Sequence, residues 1–168
     1  MKVVLYMATT VNSYIAKENG DCPWSDAVWD SYYTIAKQFK ALILGSVTYE
    51  IMKNANEFEK IGDPFTVVVA SKPVAKRAHV AFVTSPRDAL KLLKEKGFAK
   101  VLVGGGGRVN ASFMKEQLID EVILDVEPLV FGKGIKLFAD EEFETALELI
   151  EVKRLSGHTI QLRYKVKK

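Results

Sequence analysis

The sequence predicts an α/β fold with a doubly wound, mostly parallel central sheet that ends in an antiparallel carboxyl-terminal hairpin. Three observations predict it. Short apolar runs with little polar alternation, at residues 3–10, 41–44 and 101–103, read as strands buried on both faces. Segments with helical spacing fall between the early strands, the order that a parallel sheet with crossover helices requires. Residues 143–155 and 159–166 instead alternate, and Ser156-Gly157 joins them as a hairpin.

Taken in order, residues 3–10 form a central strand. Residues 11–24 carry the turn signals Asn12-Ser13, Asn19-Gly20-Asp21 and Pro23, so an irregular connection is expected. A connection this long in a compact domain is often functional. Ser25 stands where it can cap a helix starting at Asp26. On that helix Val28, Tyr32, Ile35 and Phe39 share one face, while Trp29, Asp30 and Tyr33 lie toward a second. After strand 41–44, Gly45-Ser46 opens a helix carrying Val47, Ile51 and Met52. Residues 65–70 form a strand ending in Ser71-Lys72-Pro73, and 79–84 a shorter one. Ser85-Pro86 starts a helix that Gly97 stops, with Ala89, Leu92 and Leu93 facing in. Strand 101–103 runs into Gly104-Gly105-Gly106-Gly107, and Val109, Phe113 and Met114 then recur at helical spacing. Residues 120–127 form a strand that Pro128 stops, and Gly132-Lys133-Gly134 is a loop.

A chain of 168 residues fits one domain over residues 1–168. Its net charge of +3 is too small to predict a nucleic-acid partner. Cys22 is the only cysteine, which excludes an internal disulfide and fits a reducing cytoplasm. No apolar run approaches the ~20 residues of a membrane span, and no signal-peptide pattern leads the chain, so a cytoplasmic protein without a membrane partner is expected. No group of His, Cys, Asp and Glu has metal-ligand spacing, and His79 and His158 read as surface residues.

The chemistry is expected where strand, glycine and helix meet. This happens twice, at Leu42-Ile43-Leu44-Gly45-Ser46-Val47-Thr48 and at Val101-Leu102-Val103 followed by Gly104 to Gly107. A helix start carries unpaired N–H donors and partial positive charge. Glycines let a phosphate approach these donors. Arg108 adds a full charge beside one start, and Ser46 and Thr48 add hydroxyls beside the other. The G-x-G-x-x-G fingerprint is excluded because Val109 and Asn110 fill its last position, and the mononucleotide loop is excluded because Arg108-Val109 replaces Lys-Ser or Lys-Thr. A third strand ends in Ser71-Lys72, with Lys76-Arg77 nearby, where a further phosphate such as the 2′-phosphate of NADPH could bind. Three such strand ends point to a dinucleotide.

The order of these motifs resembles dihydrofolate reductase and its relative, the reductase domain of the riboflavin-pathway deaminase-reductase. Residues 15–24, running from Ile15-Ala16 to Pro23-Trp24, are similar to the family's mobile loop. Gly45-Ser46-Val47-Thr48-Tyr49-Glu50 and Gly105-Gly106-Gly107-Arg108-Val109 are similar to two of its glycine segments. Asp120-Glu121-Val122 and Phe131-Gly132-Lys133-Gly134-Ile135 resemble its stand-alone thermophilic and riboflavin-type members. The resemblance implies a dihydrofolate reductase-like fold and NADPH as hydride donor, with the nicotinamide near Ala8, Ile15 and Ala16. The cofactor contacts it implies run over Gly45, Ser46, Val47, Thr48, Ser71, Lys72 and the stretch Val103, Gly104, Gly105, Gly106, Gly107, Arg108, Val109.

Hydride transfer to a C=N bond needs a proton on the nitrogen, which a carboxyl group in an apolar pocket can direct. Asp30, flanked by Trp29 and Tyr33, is the first candidate, and Asp26 the second. Trp24 is expected to cover the substrate, with Trp29, Tyr33, Ile51 and Met52 lining its pocket. Dihydrofolate is the first substrate expected and a ribosylaminopyrimidine phosphate of the riboflavin pathway the alternative. A nucleotide-binding module without catalysis is the third reading. A homodimer is expected, because Leu129-Val130-Phe131 would be costly to expose in a monomer.

Overall fold

The computed structural model describes residues 1–72 and 79–168. In chain order its elements are β1 (Lys2–Thr10), β2 (Tyr14–Ala16), α1 (Asp26–Ala36), β3 (Ala41–Gly45), α2 (Ser46–Asn54), α3 (Glu57–Lys60), β4 (Phe65–Val69) and β5 (Val80–Val83). Then follow α4 (Pro86–Glu95), β6 (Lys100–Val103), α5 (Gly107–Lys115), β7 (Glu121–Glu127), β8 (Ile135–Lys136), β9 (Leu147–Arg154) and β10 (Ile160–Val166). Eight of these strands form one sheet in the order β5-β4-β3-β6-β1-β7-β10-β9. Pairing is parallel from β5 to β7, and β10 runs antiparallel between β7 and β9. This is the doubly wound sheet with an antiparallel end that the sequence predicts.

The central strands are apolar on both faces because both faces are covered. On one face Val3, Leu5, Ile43 and Val103 pack against Ala89 and Leu93 of α4 and Val109 and Phe113 of α5. On the other, Tyr6, Leu42, Leu44 and Val68 pack against Ala36 of α1, Tyr49 and Met52 of α2 and Phe58 of α3. Each such buried aliphatic or aromatic side chain contributes roughly 1.5–3 kcal/mol. Ser85 caps α4 by accepting from the Asp88 N–H, and Pro86 stands at its first turn. Ser25 makes no such cap on α1; its N–H and hydroxyl both donate to Glu127 Oε1 instead.

Several expected boundaries move. Residues 11–24 are not wholly irregular, since β2 pairs antiparallel with β8. The one-turn helix α3 has no counterpart in the sequence pattern, because four residues carry no helical period. Strand β9 begins at Leu147 rather than 143, and Phe143 packs on Phe138 instead. On α2 the inward residues are Tyr49 and Met52, while Val47 and Ile51 face outward. No helix of the described residues is long and apolar enough to cross a membrane.

At the amino-terminal ends of the strands, Glu121 is 5% exposed and receives hydrogen bonds from Arg163 and from Lys2 at 2.6 Å. Burial pushes its carboxyl up, but the bonds from Arg163 and Lys2 prevail and hold it below the ordinary value of 4.5. A depressed carboxyl stabilises the fold above its unfolded value and loses that contribution as pH falls through its folded value. Glu121→Gln should therefore lower the urea midpoint at neutral pH and flatten its fall below about pH 4.5, measured by denaturation across that range.

Candidate functional site

The site forms where β3 and β6 lie side by side, Leu42 opposite Leu102 and Ile43 opposite Val103. From β3 the chain turns into α2 on one face of the sheet, and from β6 into α5 on the other. A crevice opens at such a switch point, outside the carboxyl ends of the strands. The two turns are bonded to each other: the Gly45 N–H donates to Gly105 O at 2.7 Å and the Gly104 N–H to Ile43 O at 3.0 Å. Gly45 and Gly106 are the N-caps of α2 and α5, and neither helix start has a side-chain cap. Unpaired N–H groups therefore stand at two adjacent helix starts, an arrangement suited to a diphosphate.

The glycines divide by role. Gly104 and Gly106 are partly exposed, whereas Gly105 and Gly107 are covered. Gly105 has a φ of +93°, and a Cβ there would lie 3.1 Å from Met7 Sδ. A Cβ on Gly107 would collide with the carbonyl of Lys136, so packing alone requires a glycine here. Val103 and Val109 are likewise buried supports under the turn. Thr48 and Ser46 are half-buried at the mouth, and Val47 and Arg108 are exposed. Asn110, fully buried on α5 near Gly105, donates its Nδ2 to Leu137 O at 2.9 Å. Its Oδ1 has no partner.

Ala8 stands at the end of β1, and Ile15 and Ala16 lie on β2, all three buried. Ser71 and Lys72 follow β4 and are exposed, while Lys76 and Arg77 lie outside the described residues. The tip of the long loop reaches α2, where Gly20 approaches Ile51 Cδ1. Trp24 stacks on Phe131 with centroids 6.3 Å apart, and Tyr14 meets the same ring. Phe131 is thus engaged within its own chain, while Val130 beside it is 71% exposed.

The substrate side departs more from expectation. Trp29 and Tyr33 do stack, at 6.0 Å, and the Tyr33 hydroxyl donates to Glu57 at 3.0 Å. Ile51 sits at the rim, but Met52 belongs to the core with Tyr49 and Phe58. Val28 points α1 at the sheet with 1% exposure, so Asp26 and Asp30, two residues to either side of it, are both carried to the far side and are both exposed. At helical spacing it is Asp26 that shares a stripe with Trp29 and Tyr33.

Sequence reading missed the carboxylates beneath α1. Asp125, fully buried on β7, accepts from the Tyr6 hydroxyl at 2.6 Å and from Gln161 Nε2 at 2.7 Å. Gln161 Nε2 also reaches Ser31 Oγ on α1 at 3.0 Å. Burial pushes the Asp125 carboxyl up, and bonds from Ser31, Tyr6 and Gln161 offset this only in part. Burial, reinforced by the charge of Asp125, also raises the Tyr6 phenol above its ordinary range. The available signal was the alternation Glu121, Ile123, Asp125, Glu127 on one face of β7; the partners come from three other elements.

Comparison with known proteins adds a family to this geometry. Residues 1–161 match the model of the RibD C-terminal domain. Over 170 residues the chain is 34% identical to the uncharacterized protein YwjB of Bacillus subtilis strain 168, covering 97% of each. Among solved structures, a putative riboflavin biosynthesis protein from Shewanella sp. PV-4 aligns over the whole of both chains with a TM-score of 0.84 and 22% identity. The Thermotoga maritima diaminohydroxyphosphoribosylaminopyrimidine deaminase/5-amino-6-(5-phosphoribosylamino)uracil reductase aligns with 99% of this chain and 56% of its own, with a TM-score of 0.75 and 20% identity. These matches favour the riboflavin-type alternative over dihydrofolate. The crevice thus sits on a dihydrofolate reductase-like fold, and the chain belongs to the RibD C-terminal domain family.

Proposed function

We propose that this protein is an NADPH-dependent reductase that delivers hydride to a pyrimidine-type heterocycle or its ribosylamino C=N bond. One observation carries the reading: two uncapped helix starts, bonded through Gly45 and Gly105, face one crevice. The residues fit the cofactor. The partly exposed Gly104 and Gly106 leave room for a diphosphate, and the unpartnered Asn110 Oδ1 lies near the same turn. Ser46, Thr48 and Arg108 would hold the diphosphate, and Ala8, Ile15 and Ala16 would form the ledge under the nicotinamide. Bound there, the cofactor supplies the hydride. The chain's own residues hold the substrate ring against Trp29 and Tyr33, with Asp26 on the same stripe to direct the proton. NADPH oxidation followed with the ribosylaminopyrimidine phosphate and with dihydrofolate tests the reading. Turnover of the pyrimidine supports it, turnover of dihydrofolate alone restores the other reductase, and binding without turnover of either leaves a nucleotide-binding module.

Asp26→Asn should lower turnover by about a hundredfold, the lower range for a positioned proton donor. Asp30→Asn should stay near wild type, because Asp26 has helical spacing to both Trp29 and Tyr33 and Asp30 only to Tyr33. Steady-state rates of the two variants decide between them.

Lys72 follows β4 at the edge of the crevice. Its charge favours the cofactor that bears a 2′-phosphate, so Lys72→Glu should weaken NADPH more than NADH. Equal losses in parallel titrations would remove Lys72 from the site.

A second copy of the chain is the partner this reading expects, through a different surface from residues 129–131. On β9 Leu147, Leu149, Ile150 and Val152 are 39%, 54%, 53% and 57% exposed. Aliphatic groups gathered this way on one strand mark an interface. Sedimentation at micromolar protein should give twice 18.8 kDa, and Leu149→Asp should return it to a single chain mass.

A further inference from the structure

One segment joins the two ends of the crevice. Residues 134–139 run from the nicotinamide ledge to the start of α5. At the ledge, Ile135 pairs with Ala16 and Lys136 with Tyr14, and the Leu137 N–H donates to Ser13 O at 2.9 Å. Gly134 lies so close to β2 that a Cβ there would stand 2.5 Å from Ala16 O. At the other end the Ala139 N–H donates to Gly107 O at 3.0 Å, and Asn110 Nδ2 donates to Leu137 O. Gly107 meets the Lys136 carbonyl closely enough to exclude any side chain. Backbone thus touches backbone at both ends, with a buried amide bridging to α5. Little freedom is left between them.

We propose that residues 134–139 are a spacer that fixes the separation between the phosphate-binding turn and the nicotinamide ledge, with Asn110 as a positioning residue. The inference rests on the cofactor reading above. A dinucleotide held at two points gains from the second only if the spacing matches its own length. Hydride transfer is more demanding still, because displacements of about 1 Å cost large factors in rate. Asn110 touches the spacer rather than the reacting atoms, so it acts through the placement of β2. Its Nδ2 anchors the spacer, and its unpartnered Oδ1 leaves the amide free of any competing bond within the fold.

The test compares NADPH with 2′-phospho-ADP-ribose, which keeps the phosphates and lacks the nicotinamide. Affinities are measured by calorimetry for wild type, Asn110→Ala and Gly134→Ala, which disturb the spacer from opposite ends. Gly132→Ala is the control, since a Cβ there meets nothing within 4 Å. Both spacer variants should lose about tenfold in NADPH affinity, or 1.4 kcal/mol, while the fragment changes less than about twofold. In turnover their kcat should fall more than their KM rises, and Gly132→Ala should match wild type in every measure. Hydrogen exchange at residues 13–16 should speed up in both variants without any ligand. Equal weakening of NADPH and fragment would overturn the spacer, as would wild-type NADPH affinity in either folded variant. Wild type that binds neither ligand would overturn the cofactor reading and the spacer with it.

Discussion

The pairing of β3 with β6 is the constraint on which the rest of the site depends. These strands are far apart in the chain, and nothing local brings them together. Once they are neighbours, Leu42 opposite Leu102, their carboxyl ends must finish at the same level. Their helices then leave toward opposite faces, and the bond from Gly45 to Gly105 locks the two turns edge to edge. A crevice and two positive helix ends follow without any dedicated side chain. The glycines are what the arrangement costs: at Gly105 the backbone is left-handed with Met7 directly behind it.

Much of this was legible in the sequence, for a physical reason. Strands buried on both faces must be apolar throughout, so Val101 to Val103 and Ala41 to Leu44 announce themselves. Glycines directly after such runs mark close backbone approaches. The pairing of β2 with β8 was not legible, because three residues and two residues carry no pattern and their partner lies more than a hundred positions away. Between Asp26 and Asp30 the sequence does not choose, because both flank Val28, which faces the sheet, and both are exposed. Nothing in the sequence around Asp125 signals its burial, which depends on Tyr6, Ser31 and Gln161 arriving from elsewhere.

Two buried carboxylates dock α1 onto the sheet. Asp125 meets donors from β1 and β10 beneath the middle of the helix, and Glu127 accepts both donors of Ser25 at its start. Three uncharged donors on Asp125 replace only part of the water it has lost, so burial still holds its carboxyl above the ordinary range. A buried carboxyl held chiefly by neutral donors tolerates little displacement, because losing one donor leaves much of its desolvation unrecovered. The helix is therefore held in register as well as in place, and the stripe bearing Asp26, Trp29 and Tyr33 is aimed by residues that touch none of the three.

The same anchor at Ser25 has a consequence for the loop that precedes it. The loop is pinned at its far end by Glu127 and at its near end by Asn12, whose side chain both donates to Phe131 O and accepts from the Phe131 N–H. Between these pins β2 is sewn to β8, and the Lys17 N–H closes a turn on Asp21 O. Even the tip is tied, since the Gly20 N–H donates to Lys17 O at 2.9 Å and Gly20 lies against Ile51 of α2. A loop clamped in this way is a strap fixed along its length rather than a swinging arm.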